Sequence, residues 1–267
     1  MHGLAYLVAG AALALAPSAF AAVILNDDAT APSANVIVSN ASNASFLRLF
    51  PNVNGTTADE GRGQTFSLPD AGPTASAWSV SGLTLQKNGV QTTGVGSTLS
   101  IWVFEYNPSN NANATTPWST GDGTSDGDPF DGTGVSTLLV NKATFAVGGK
   151  SYADGRYLHF TFSEPLTMDE SKVYGFYVEY AGSIASAVSP ASTTRFQLSS
   201  PSNSASSYAD GLMLTTTPSA NGANAAQDFS FHIMGMPAPV PEPSCPLLLA
   251  LVGGLLLRRG PRHAGRR

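Results

Sequence analysis

The sequence predicts an all-β protein, an antiparallel β-sandwich of jelly-roll-like form set between two apolar ends. Three observations carry this. Short runs alternate apolar and polar residues with a period of two, as half-buried strands do. Between the ends, no apolar period of 3.6 residues lasts three turns. Clusters of Gly, Pro, Asn and Asp separate the runs, where tight turns need them.

The chain opens on Leu4 to Ala16 (LAYLVAGAALALA), which has the length of a signal-peptide core and is short for a membrane span. Pro17 ends the run, and Ala19-Phe20-Ala21 offers the small residues that a signal peptidase seats. Cleavage is therefore expected after Ala21 or Ala22. Residues 1–21 are read as a signal peptide and 22–235 as a sandwich domain.

Strand candidates follow in order: Val36 to Val38, Phe46 to Phe50, Gln64 to Leu68, Ala77 to Gln86, Leu99 to Tyr106 and Val135 to Val140. In Tyr157 to Phe162, the residues Leu158, Phe160 and Phe162 point one way and His159 and Thr161 the other. Val173 to Tyr180, Arg195 to Leu198 and Leu212 to Thr215 come next. Phe229, Phe231 and Ile233 then share a face opposite Ser230 and His232. Ile101 to Phe104 and Phe176 to Val178 are apolar on both faces, which places them centrally or under a covering loop. Ser151-Tyr152-Ala153-Asp154-Gly155 and Ser207-Tyr208-Ala209-Asp210-Gly211 echo one another, and Asp-Gly in each supplies the left-handed position of a tight turn.

Composition narrows the partners. Up to Pro241 the chain has eight Lys and Arg against seventeen Asp and Glu, a net charge of −9. Nucleic acid and anionic lipid need a basic face, so neither is an expected partner of the body. Aromatic residues at 9% are too many for a disordered polymer, so the body should fold. The sole cysteine, Cys245, lies in the tail, so no intramolecular disulfide supports the core.

The C-terminal end has three parts. A proline-rich spacer (236–244) runs into Val240-Pro241-Glu242-Pro243-Ser244; an apolar segment (245–257, CPLLLALVGGLLL) and an arginine-rich tail (258–267) follow, beginning Arg258-Arg259. This order of Pro-Glu-Pro, apolar segment and arginines resembles the PEP-CTERM sorting signal. The resemblance implies that a hydrophobic sorting helix holds the exported chain briefly in the inner membrane. It also implies a partner, an exosortase-type processing enzyme that cuts near Pro-Glu-Pro. Five arginines beyond the apolar run act as a positive-inside stop. A helix of thirteen residues spans about 20 Å against a hydrocarbon core of roughly 30 Å, which suits a transient anchor. The body is similar to the jelly-roll-like ectodomains that precede such tails, through Gly61-Arg62-Gly63-Gln64-Thr65-Phe66 and Tyr152-Ala153-Asp154-Gly155.

Candidate chemistry is sparse. His159 and His232 are each placed by alternation on a solvent face, and no G-x-S-x-G accompanies them. Glycoside hydrolysis needs two facing carboxylates; Glu105, Glu164, Glu179, Asp169 and Glu170 are available, and the sequence cannot pair them. Asp122, Asp126, Asp128 and Asp131 cluster on a glycine-rich stretch and could hold a structural calcium, although an EF-hand spacing is missing; a solvated acidic loop is the other reading. Trp118, in a polar loop, is the candidate ligand-binding platform or else an edge cap, whereas Trp78 and Trp102 lie in strands and are expected in the core. No other cofactor and no catalytic residue is expected. The leading expectation is a non-enzymatic exported protein of the cell envelope, cell surface or extracellular matrix, in contact there with polysaccharide. A carbohydrate-binding module and a secreted glycan-active enzyme are the alternatives.

Overall fold

The computed structural model describes residues 21–41, 45–49, 61–106, 135–188, 195–201, 211, 213–215 and 228–239. They hold fifteen strands and no helix. In chain order these are β1 (Val23–Asp28), β2 (Val36–Asn40), β3 (Ser45–Leu49), β4 (Arg62–Ser67), β5 (Ala77–Gln86), β6 (Gln91–Thr93), β7 (Thr98–Tyr106) and β8 (Val135–Ala146). Then come β9 (Ser151–Tyr152), β10 (Tyr157–Asp169), β11 (Val173–Ala181), β12 (Ile184–Ala187), β13 (Phe196–Ser200), β14 (Met213–Thr215) and β15 (Phe231–Pro237).

One five-stranded sheet runs β1-β10-β5-β15-β2 and a second runs β14-β4-β11-β7-β8. Smaller sheets, β12-β6-β9 and β13-β3, lie beside them, and every pairing is antiparallel. The two large sheets pack face to face. Leu158, Phe160 and Phe162 of β10, Leu83 and Leu85 of β5, and Phe231 and Ile233 of β15 enter one core with Phe66, Ile101, Val103, Phe176 and Val178 of the opposite sheet. Ring pairs bridge the layers: Phe176 to Phe231 at 5.5 Å, Phe66 to Phe231 at 6.3 Å and Phe145 to Phe160 at 5.7 Å. The alternation in Tyr157 to Phe162 thus becomes an inward face, and each of these fully buried phenylalanines contributes about 1.5–3 kcal/mol of apolar transfer.

β7 and β11 are buried on both faces, as their unbroken apolar runs led us to expect. On the outer side Trp102, Phe104, Tyr106, Tyr177 and Leu214 form a second cluster, with the Trp102 and Tyr177 rings edge to face at 5.6 Å. Tyr177 lies across from Gly63, where an added Cβ would collide with the Phe176 carbonyl oxygen and press on the Tyr177 ring. The glycines of Gly61-Arg62-Gly63 are therefore a packing requirement of that aromatic layer. In β8, Asn141 and Lys142 together oppose Trp102 alone, a bulge with Lys142 at φ 31°. The bulge carries the Lys142 ammonium over the Trp102 ring, 5.2 Å from its centroid.

A larger irregularity interrupts β10. Thr161 pairs with Gly82 but Leu166 with Val80, so Phe162 to Pro165 oppose only Ser81. Pro165, which has no N–H to give a ladder, sits where pairing lapses. β1 continues along this stretch, with Val23 opposite Phe162 and the Ser163 N–H donating to the Ala22 carbonyl at 2.8 Å. β15 ends with Pro237 opposite Trp78, where β5 begins, whereas β1 starts midway along the sheet, with Val23 opposite Phe162 near the level of Gly82, and runs away from that end.

Candidate functional site

The outer face of the β1-β10-β5-β15-β2 sheet carries a cross-strand polar row. Register aligns Asn26, His159, Thr84, His232 and Ser39 on its five strands. His159 Nδ1 and Thr84 Oγ1 are 2.9 Å apart, and His232 Nδ1 and Ser39 Oγ 3.0 Å. Tyr157 stands one pleat along, its ring 6.4 Å from His159 and 6.2 Å from His232, and its hydroxyl accepts from Gln86 Nε2 at 3.2 Å. His232 lies on the predicted outer face, but it is buried at 7% exposure rather than solvated. Alternation assigns a face and is silent on what neighbours cover it, here in part the Tyr157 ring. Burial, then the neighbouring His159, holds the His232 pKa below its ordinary value.

Chemically, this face gathers two imidazoles, two hydroxyls, two amides and the Tyr157 phenol, with Thr84 and His232 buried and Tyr157 and His159 half-buried. Such a set suits hydrogen bonding to uncharged hydroxyl groups. Each hydroxyl–imidazole pair looks like half of a nucleophile and base, but neither ring hydrogen-bonds a carboxylate among the described residues, so the third, orienting member of a triad is not supplied by them.

The carboxylates weighed for glycan chemistry are mostly committed elsewhere. Glu105 accepts from Lys172 at 2.8 Å, Asp169 accepts from the Ser171 N–H at 2.8 Å, Glu170 accepts from the Ala71 N–H at 2.6 Å, and Glu179 lies 4.0 Å from Lys142. Asp28 caps Thr30, Asp154 accepts from the Gly89 N–H at 2.6 Å, and Asp228 takes a bond from Gln64 at 3.1 Å. Glu164 alone among the described carboxylates has neither a hydrogen bond nor an ion pair. It is exposed, and it lines a cleft of about 630 Å³ with Ala21, Ala22, Thr137, Leu139, Ser163 and Leu166.

A second titratable group went unnoticed in the sequence. Lys87 is fully buried at the end of β5, its ammonium donating to the Asn88 carbonyl and, at 3.1 Å, to the Gly89 carbonyl. It faces the Phe196 ring at 5.0 Å, which itself stacks on Tyr180 at 4.9 Å. Burial pushes its pKa down to about 7, opposed by the nearby Asp154. Asp154 belongs to the expected Asp-Gly turn, with Gly155 at φ 75°, and that turn closes on Lys87 through Gly155 N–H to Lys87 carbonyl at 3.0 Å. A lysine after an alternating run reads as solvated, so only the tertiary contacts reveal it.

Several expected sites lie outside the described residues: Ala19, Trp118, Asp122, Asp126, Asp128, Asp131, Val240, Pro241, Glu242, Pro243, Ser244, Arg258 and Arg259. Ala21 is described, at the mouth of the cleft. Trp78 and Trp102 are buried as expected, and Trp78 Nε1 donates to the Pro69 carbonyl at 2.8 Å. Among the described residues, no helix is long and apolar enough to cross a membrane, and no three His, Cys, Asp or Glu side chains group as a metal site. The chain matches no protein-family model, and a comparison with curated proteins finds no match.

Proposed function

We propose that the protein is an exported, non-enzymatic surface or extracellular-matrix protein, freed from a signal peptide at its start and processed at a PEP-CTERM-like tail by an exosortase-type enzyme. The observation that carries this reading is where the sandwich begins and ends. β1 starts at Val23, two residues past the end of Ala19-Phe20-Ala21, and β15 ends at Pro237, at the proline-rich spacer. β1 runs away from the end of the sheet where β5 begins and β15 runs toward it, so the leader and the tail both point toward that end.

The jelly-roll form belongs to the same reading. It is supported by the strand orders β2-β15-β5-β10 and β4-β11-β7-β8, which interleave along the chain as two Greek keys do, with β1 and β14 added at the margins. The test is intact-mass and terminal sequencing of the protein purified from its native envelope or medium. The reading expects a start after the Ala-x-Ala and an end near Glu242; a chain that retains both Met1 and Arg267 would overturn it.

A carbohydrate-binding role is the second reading, favoured by the Tyr157, His159 and His232 face rather than by Trp118. Its partner is a neutral, hydroxyl-rich polysaccharide, consistent with the negative charge of the body. Affinity electrophoresis in native matrix polysaccharide should lose its retardation in Tyr157→Ala, and unchanged mobility of the wild type in the gel would remove this reading.

A further inference from the structure

We propose that the cleft beside the β10 bulge is the seat of the mature N-terminus, where the ammonium group of Ala22 pairs with the carboxylate of Glu164. The inference rests on the export reading and adds to it which bond is cut and what receives the new terminus. Two cuts agree with the small residues of the leader, after Ala21 and after Ala22. The fold separates them. The Ala22 carbonyl accepts from the Ser163 N–H at 2.8 Å and so extends the β1 ladder one step past Val23 opposite Phe162. Hydrolysis after Ala22 would carry that carbonyl away with the leader and leave the Ser163 donor without its partner. Hydrolysis after Ala21 keeps it. Water adds across the Ala21–Ala22 peptide bond, the leader departs with the Ala21 carboxylate, and Ala22 keeps the nitrogen as an ammonium at neutral pH.

That ammonium appears within the walls of a cleft that already contains Ala21, Ala22, Ser163 and Glu164. Glu164 is the described carboxylate left without any partner, on the bulged segment directly after the residue that bonds Ala22. An exposed carboxylate held next to a new positive charge raises the proton affinity of the amine. The bulge thereby gains a purpose: it turns Ser163 to Pro165 away from β5 and toward the first residue of the mature chain.

The experiment expresses the full chain with its leader in an exporting host, for the wild type and for Glu164→Gln. The mature proteins are sequenced from the N-terminus, and the α-amine is titrated by NMR after reductive ¹³C-methylation. The expected start is Ala22, with an α-amine pKa about half a unit, or roughly threefold in proton affinity, higher in the wild type than in Glu164→Gln. A chain beginning at Ala22 whose amine titrates identically in both proteins overturns the pairing and leaves the export reading standing. A start at Val23 or later does the same. A chain still beginning at Met1 overturns both. Because Glu164 is exposed, the variant should melt as the wild type does when both are N-acetylated, which separates loss of the pair from a folding defect.

Discussion

Replacing Lys87 with methionine should flatten the pH dependence of stability while changing the structure little. In the folded protein Lys87 has a pKa of about 7, against 10.5 for a free lysine, because its burial disfavours the charged form. Between these values the unfolded chain binds more protons than the folded one, so stability rises with pH across that window. The charging penalty is on the order of 4 kcal/mol at pH 7 and about 1.5 kcal/mol at pH 9.5, a gain of roughly 3 kcal/mol over the interval. Above pH 10 the sign reverses, since burial raises Tyr152 to about 12 and the unfolded chain then releases the tyrosine proton first. Methionine has a similar length and no charge, so it removes the penalty but also the donor to the Asn88 and Gly89 carbonyls, worth about 1–3 kcal/mol. Urea melts at pH 7 and 9.5 provide the assay. The wild type should gain roughly 3 kcal/mol of that change through Lys87 and Lys87→Met should not. Parallel profiles would refute the reasoning, showing that the two carbonyls and the Phe196 ring keep the ammonium charged throughout.

Three further outcomes follow from the same structure. Phe176→Ala should cost about 3–5 kcal/mol in urea, because this ring bridges Phe66, Phe229 and Phe231 at the centre of the core; a loss under 1 kcal/mol would mean that the sheets do not pack there. Gly63→Ala should destabilise by about 1–3 kcal/mol and redshift the tryptophan fluorescence as the Tyr177 and Trp102 layer is displaced; a neutral effect would contradict the close strand contact. His232 has a lowered pKa when folded, so the unfolded chain takes up its proton first and stability should fall as pH drops below about 6.5. His232→Gln should shallow that fall, and an unchanged acid limb would show that the ring is not the source.

The strands most easily found in the sequence are those whose inner residues are large. Leu158, Phe160 and Phe162 alternate with polar partners, and the register of β10 follows their face. β1 was missed because Val23 to Leu25 adjoin the apolar run read as a signal peptide and are followed by Asn26-Asp27-Asp28, a turn-like ending. β6, β9 and β12 were missed for a different reason: Gln-Thr-Thr, Ser-Tyr and Ile-Ala-Ser-Ala contain too few apolar residues to show a period, and only pairing with one another defines them. The polar row was half legible. His159 and His232 each stood on an outer face, but nothing in one dimension says that both flank Thr84 or that Tyr157 reaches over them.

The all-β class, the inward faces of the main strands and the Asp-Gly turn at Asp154 depend on residues within a few positions of one another, and so are legible along the chain. The leader and tail that we propose rest likewise on local patterns. Which strands are neighbours, that Lys87 and His232 are buried, and that Glu164 stands unpaired in the cleft that Ala22 lines emerge from the folded arrangement alone. Burial and pairing are set by residues far apart in the chain, and a side chain's chemistry changes when those residues remove its water.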